Sequence, residues 1–204
     1  MRVPLLIGLC AVVAASAAFA GGTPNTSMGA KQMVFQFEGL SMLNLEPYAG
    51  GFGFRYFYAD DTAIRGTINF AYQSDEEKNA ITDSYSMTRI GAALIWERYM
   101  APIASVAPYM GIGVGYFYNS QTWECEPTDM CDPDKTEMTG NELMISLVAG
   151  FQWYFTDAMS LGGEYQLSYS YESGEMKVEG EKAGEYTSSM FGFNAASVFL
   201  SVHY

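Results

Sequence analysis

The chain has 204 residues, 49% hydrophobic and 15% aromatic but only 16% charged, and 10 Lys and Arg against 23 Asp and Glu give a net charge of −13. That length suits one domain, and 15 Tyr, 13 Phe and 3 Trp are too much apolar surface for a disordered chain. The acid excess excludes a nucleic-acid binder, which needs clustered Lys and Arg.

The first element is an export signal. Arg2 gives a positive start, Leu5 to Val13 is an apolar run, and Ala18-Phe19-Ala20 fits a small-x-small cleavage site before Gly21. The run is too short to remain as a membrane-spanning helix. A lipoprotein would use Cys10 for acylation, but the Leu9 before it is not small, so Cys10 is expected to leave with the signal. Residues 1–20 are thus read as signal peptide, 21–30 as a lead segment and 31–204 as the folded domain. Loss of Arg2 takes the charge from −13 to −14.

From there alternation dominates, the mark of strands with two unlike faces. An opening strand around 31–43 sets Phe35 and Phe37 against Gln36 and Glu38. The second runs Phe52, Phe54, Tyr56, Tyr58 against Gly51, Gly53, Arg55 and Phe57. The third opposes Ile64, Ile68, Phe70 and Tyr72 to Arg65, Thr67 and Asn69. The fourth opposes Ile90, Leu94 and Trp96 to Arg89 and Glu97. In the fifth, Ile112, Val114, Tyr116 and Tyr118 face away from Gly111, Gly113 and Gly115. The sixth carries Leu143, Ile145, Leu147, Phe151 and Trp153 opposite Ser146, Gly150 and Gln152. The seventh sets Leu161, Tyr165, Leu167, Tyr169 and Tyr171 against Glu164, Gln166, Ser168 and Ser170. The last holds Val198, Leu200, Val202 and Tyr204 opposite Ser197, Ser201 and His203. The expected count is eight strands of about ten residues, the length of a tilted membrane-spanning strand.

The connections sort into two kinds. Ala59 to Thr62, Thr156 to Ala158 and Tyr99 to Val106 are short, whereas 74–84, 119–140 and 173–188 are long, polar and expected to be loops. Short links at one end and long ones at the other suit an up-and-down barrel in an outer membrane. The link near Asn44 to Pro47 breaks this pattern, being short at the long-loop end. A soluble sandwich or lipocalin would alternate too. Aromatics near the strand ends (Tyr56, Tyr58, Trp96, Trp153, Tyr204) argue for an interfacial girdle instead. The opposite faces, mostly Gly, Ser, Gln and Asn, lack the Lys and Glu of a solvated surface. The fold expected is all-β: an eight-stranded antiparallel up-and-down transmembrane β-barrel.

With this signal, these strands, Thr156-Asp157-Ala158-Met159-Ser160-Leu161 before Glu164-Tyr165, and Pro108-Tyr109-Met110-Gly111-Ile112-Gly113-Val114-Gly115-Tyr116, the chain resembles the small outer-membrane β-barrel proteins of Gram-negative bacteria, of the OmpA/OmpX type. The resemblance covers residues 31–204 and is specific for fold rather than for any one member. It implies residence in the outer membrane as a monomer, contact with its lipid and lipopolysaccharide, and passage through the barrel-assembly machinery. The alternation Val198, Leu200, Val202, Tyr204 resembles the C-terminal signal that this machinery reads. Because the chain stops there, the peptidoglycan-binding domain of longer OmpA-type proteins is not expected.

Eight strands enclose a lumen just wide enough for side chains to fill. Glu38, Arg55, Arg65, Arg89, Glu97 and Glu164 are expected there as a balanced ion-pair network, with Gln36, Gln152 and Gln166. A narrow channel for small or hydrophobic solutes is the alternative. Cys125 and Cys131 flank a polar stretch, and after export such a pair reads as a disulfide. Zinc would need two more ligands, and His203 is the only histidine.

A lone histidine near the end of the last strand does not make a catalytic base with partners, so no enzyme activity, metal or cofactor is expected. The Gly111-x-Gly113-x-Gly115 run has period two with no following helix, so it reads as relief of crowding inside the barrel, not as a dinucleotide site. Asp129, Asp132 and Asp134 could offer some calcium ligands, but six to eight oxygens must converge, and a solvated loop is the simpler reading. Surface ligands, if bound, would meet 74–84, 119–140 and 173–188.

Overall fold

A computed structural model describes residues 21–38, 49–78, 82–125, 135–193 and 196–204. Among the described residues nine strands form: β1 (Lys31–Glu38), β2 (Ala49–Ala59), β3 (Thr62–Lys78), β4 (Thr82–Tyr99), β5 (Val106–Cys125), β6 (Lys135–Thr156), β7 (Met159–Val178), β8 (Glu181–Phe193) and β9 (Ser197–His203). Every pairing is antiparallel, and β1 to β7 each pair with the next in sequence. β8 and β9 together make the eighth strand, β8 pairing with the outer part of β7 and β9 with its inner part. β9 also pairs with β1, from Gln32↔His203 to Glu38↔Ser197, and so closes the ring.

The two faces sort as the alternation requires. Phe54, Leu94, Val114 and Leu147 point outward and are more than half exposed, an arrangement stable only against lipid. The inward register holds the buried residues. At the short-turn end Phe57, Ala63, Ile95, Tyr99, Ala107, Tyr109, Val148 and Tyr154 pack into one cluster inside the ring. Gly113 lies at a point of close approach. A Cβ there would stand 2.8 Å from the Ile95 side chain and 2.9 Å from Ser146 Oγ. The girdle is tied together where Trp96 Nε1–H donates to Tyr58 Oη at 2.6 Å.

The long links differ from expectation. Residues 119–125 and 135–140 are strand, as are 173–178 and 181–188, so strands reach 22 residues instead of ten. The link between β7 and β8 is a two-residue turn, Glu179-Gly180, with φ of 53° and 84°. Left-handed residues at both central positions match the twist of a tight hairpin. The expected loop 74–84 is likewise mostly strand, in β3 and β4. These segments read as loops because they are polar, but polarity marks solvent, not irregular backbone. Here the strands simply continue beyond the lipid.

The side-chain pattern inverts where they do. Along the outward register of β4, Trp96, Leu94 and Ile90 give way to Thr88, Ser86 and Ser84; along β5, Tyr118 gives way to Ser120, Thr122 and Glu124. The inward register above the lumen gains apolar residues instead, with Met87 and Tyr85 on β4, Trp123 on β5, Met138 on β6 and Met176 on β7, set among polar ones such as Gln73 and Gln121. Tyr85 and Trp123 stack with centroids 5.3 Å apart. A sheet in water hides its apolar side, and one in lipid shows it. The expected strand 31–43 ends in the described part at Glu38, and the link at Asn44 to Pro47 lies outside the described residues.

Candidate functional site

The candidate site is the lumen, which has two unlike halves. In the short-turn half Arg55 sits on β2, Arg65 on β3, Glu97 on β4 and Glu164 on β7, all facing inward and almost fully buried. Arg55 Nε and Nη2 donate to Glu97 Oε2 and Oε1 at 2.6 and 3.2 Å. Arg65 bridges the two carboxylates. Its Nη2 donates to Glu164 Oε2 at 2.6 Å, and its Nε lies 2.9 Å from Glu97 Oε1 without hydrogen-bond alignment. The Arg65 guanidinium also lies over the Phe199 ring, 4.6 Å from its centroid.

Neutral groups complete this cluster. Arg55 Nη1 donates to Gln32 Oε1 at 2.7 Å, and Tyr109 Oη donates to Glu164 Oε2 at 2.7 Å. Gln166 Nε2 reaches Glu164 Oε1, and Tyr99 Oη reaches Gln152 Oε1. Two cations and two anions cancel, and fixed dipoles replace part of the water they gave up, while Arg65 Nη1, like its Nε, makes no hydrogen bond among the described residues.

Residues 21–30 cross beneath this half. The Gly22 N–H donates to the Tyr154 carbonyl at 2.8 Å, and the Thr23 N–H to Asp157 Oδ1 at 2.8 Å, both beside the β6–β7 turn. Farther on, Thr26 Oγ1 donates to Asp61 Oδ1 at 2.6 Å, and the Met28 N–H to Asp60 Oδ1 at 2.9 Å, at the β2–β3 turn. Those turns stand on opposite sides of an eight-strand ring, so the segment is a strap across the mouth. Gly22 lies so close that a Cβ would meet the Thr156 backbone at 2.1 Å.

The outer half is built differently. A cavity of about 330 Å³ lies there, lined among others by Gln36, Asn69, Arg89, Phe117, Glu142 and Ser168. Arg89 pairs with Glu142 at 3.0 Å and rests 3.7 Å from the Phe117 ring centroid. Asn119 Nδ2 is directed at Glu142 Oε2, 3.4 Å, and Glu172 Oε1, 3.1 Å, and Tyr186 Oη donates to Glu172 Oε1 at 3.0 Å.

Four of the six expected network residues thus meet: Arg55, Arg65, Glu97 and Glu164. Arg89 does not join them. It lies one level outward and takes Glu142, because three inward positions on β4 separate it from Glu97. Glu38 ends β1, and only its backbone is described, paired with Ala49 and Ser197. Glu142, Glu172 and Asn119 were missed because the strands were expected to stop short of them. Their parity with Ser146, Ser168 and Phe117 was the available signal. The strap left no periodic signal; only the Asp-rich turns hinted at acceptors.

Cys125 ends β5 and is disulfide-bonded; Cys131, its expected partner, lies outside the described residues, as do Asp129, Asp132 and Asp134. Val198, Leu200 and Val202 lie on β9 in the outward register, with Tyr204 exposed just beyond. His203 Nε2 lies 2.8 Å from Ser160 Oγ at the strapped end, and Ser160 is fully buried.

The family model of the outer membrane protein beta-barrel domain matches residues 4–199. A major outer membrane protein from Thermus thermophilus superposes with a TM-score of 0.52 at 13% identity, over 86% of this chain and 99% of that one. The N-terminal beta-barrel domain of Pseudomonas aeruginosa OprF gives a TM-score of 0.45 at 11% identity, over 87% and 98%. Ail, the attachment invasion locus protein of Yersinia pestis, gives 0.42 at 14% identity, over 87% and 98%. At these identities the likeness concerns the fold alone. No curated protein matches the sequence.

Proposed function

The chain belongs to the outer membrane protein beta-barrel domain family, and from that premise we propose that it is a closed, non-enzymatic barrel with a structural and surface-interaction role. One observation carries this reading: the Arg55–Glu97–Arg65–Glu164 cluster fills the short-turn half of the lumen at 2% exposure or less. An ion entering that half would have to displace paired charges in a medium of low dielectric, where their attraction is strong. The strap of residues 21–30 supports the same reading from the periplasmic side, where short turns lie in such barrels.

The sheet beyond the lipid then becomes the working surface. Its outer face carries Glu124, Glu137, Glu175 and Glu185, with Lys135 and Lys182 held in ion pairs of 2.7–3.1 Å. The Lys135 ammonium is held above its ordinary range by hydrogen bonds to Glu124 and Glu137. Such a face suits contact with lipopolysaccharide or a surface ligand by a monomer, delivered by the barrel-assembly machinery. Catalysis is disfavoured by the placement of Ser160 beside His203, because a buried hydroxyl under the plug meets no substrate.

Planar-bilayer recording on the purified mature protein tests the proposal. The expected result is no steady conductance. Steady conductance altered by Arg65→Ala, without loss of stability, would instead establish the narrow channel.

A further inference from the structure

We propose that the outer half of the lumen is a binding site for a small organic cation, an ammonium group carried on an apolar body. The inference rests on the closed-lumen reading, since a plug beneath turns this half into a cup with a closed floor.

The first support is unmet hydrogen-bonding capacity. Asn119 is 8% exposed, and its buried Oδ1 has no donor among the described residues, while its Nδ2 is directed at two carboxylates. Asn69, which lines the cavity, likewise has a buried Oδ1 without a donor. A buried acceptor left unpaired forfeits its hydration without compensation, so such atoms mark where a donor belongs. Both orphans accept; neither donates. The missing group is therefore a donor.

The second support is charge. Arg89, Glu142 and Glu172 face this half, and Arg89 is committed to Glu142 and to the Phe117 ring. Among the described residues Glu172 has no cation: its Oε1 accepts from Asn119 and Tyr186. Among these three groups the surplus is one negative charge, set beside the orphaned amide oxygen. A donor that also neutralises a carboxylate is an ammonium.

The third support is the wall above. Tyr85, Met87, Trp123, Met138 and Met176 point into the mouth from four strands, where aromatic faces attract cations and methionines adapt to apolar bodies. The cavity of about 330 Å³, lined among others by Asn69, Arg89, Phe117 and Glu142, adjoins Asn119 and Glu172 through the Asn119–Glu142 contact, and lies at the small end of ligand pockets. It takes a compact amine.

Calorimetric titration of the refolded mature protein with benzylammonium, benzyl alcohol and benzoate tests this. Saturable binding of benzylammonium is expected, with the alcohol and the acid roughly tenfold weaker or more, as for a hydrogen bond to a charged group. Glu172→Gln should weaken benzylammonium by a similar factor. Because Glu172 forms no ion pair among the described residues, that variant is expected to fold, as heat-modifiable gel migration will check; Asn119→Leu is the second variant and should weaken binding too. Absence of saturable binding, equal binding of benzyl alcohol, or no loss in either folded variant would overturn the site. Saturable, Glu172-dependent binding by a barrel that also conducts ions would support the site and remove the plug. A silent barrel that binds no benzylammonium would keep the plug and remove the site.

Discussion

The two halves of the lumen are made from the same alphabet, Arg, Glu, Gln, Asn and Ser, yet they reach opposite outcomes. In the short-turn half two arginines and two glutamates balance in charge within ion-pair distance, although Arg65 Nε and Nη1 find no acceptor among the described residues, and aromatic rings fill what remains. In the outer half one arginine stands against two glutamates and pairs only with Glu142, two amide oxygens lack donors among the described residues, and a cavity persists. Composition of a lumen therefore does not say whether it is sealed. Stoichiometry and register do.

The comparison can be broken most sharply at the arginines. Arg65→Ala leaves Glu164 and Glu97 buried without their shared cation and should cost about 3–5 kcal/mol. Arg89→Ala, at a partly exposed pair, should cost about 1 kcal/mol or less. Denaturant unfolding in micelles, followed by tryptophan fluorescence, measures both. Similar losses in the two variants would erase the distinction between halves.

The next largest effect belongs to the outer surface. Leu94→Arg, near the middle of the apolar band, should cost about 2–4 kcal/mol. Thr88→Arg lies three outward positions farther along the same strand, where polarity has inverted, and should cost about 1 kcal/mol or less. Refolding into vesicles across a denaturant series reads the difference. Equal tolerance would mean that no lipid boundary separates them.

A smaller change is expected at the strap. Gly22→Val places atoms against the Thr156 backbone and should cost about 1–3 kcal/mol through displacement of the segment. Limited proteolysis should then cut near residue 25 in the variant, with the strands left intact. The smallest effect concerns Cys125. Reduction should lower stability by about 2 kcal/mol or less, since the ring closed with Cys131 would be short. Thiol labelling before and after reduction, with the Cys131→Ser variant, checks that pairing.

Much of this architecture was legible from alternation. Ile90, Leu94 and Trp96 against Arg89 and Glu97 already state which face meets lipid, because a strand has only two faces. The hairpin ends were not legible, since Ser84, Thr122 and Glu175 look the same in a loop as on a wetted strand. Glu142 and Glu172 fell outside the expected lumen for that reason alone.

The sequence by itself determined the alternation, hence the barrel, its lipid face and the inward facing of Arg55, Arg65, Arg89, Glu97 and Glu164. The tertiary structure decided that Arg65 bridges Glu97 on the neighbouring β4 and Glu164 on β7 across the lumen. It also decided that Arg89 stands apart and that residues 21–30 tie two opposite turns. The physical reason is that facing depends on parity within one strand, which is local. Partnership depends on the relative stagger of strands, set only when the ring closes.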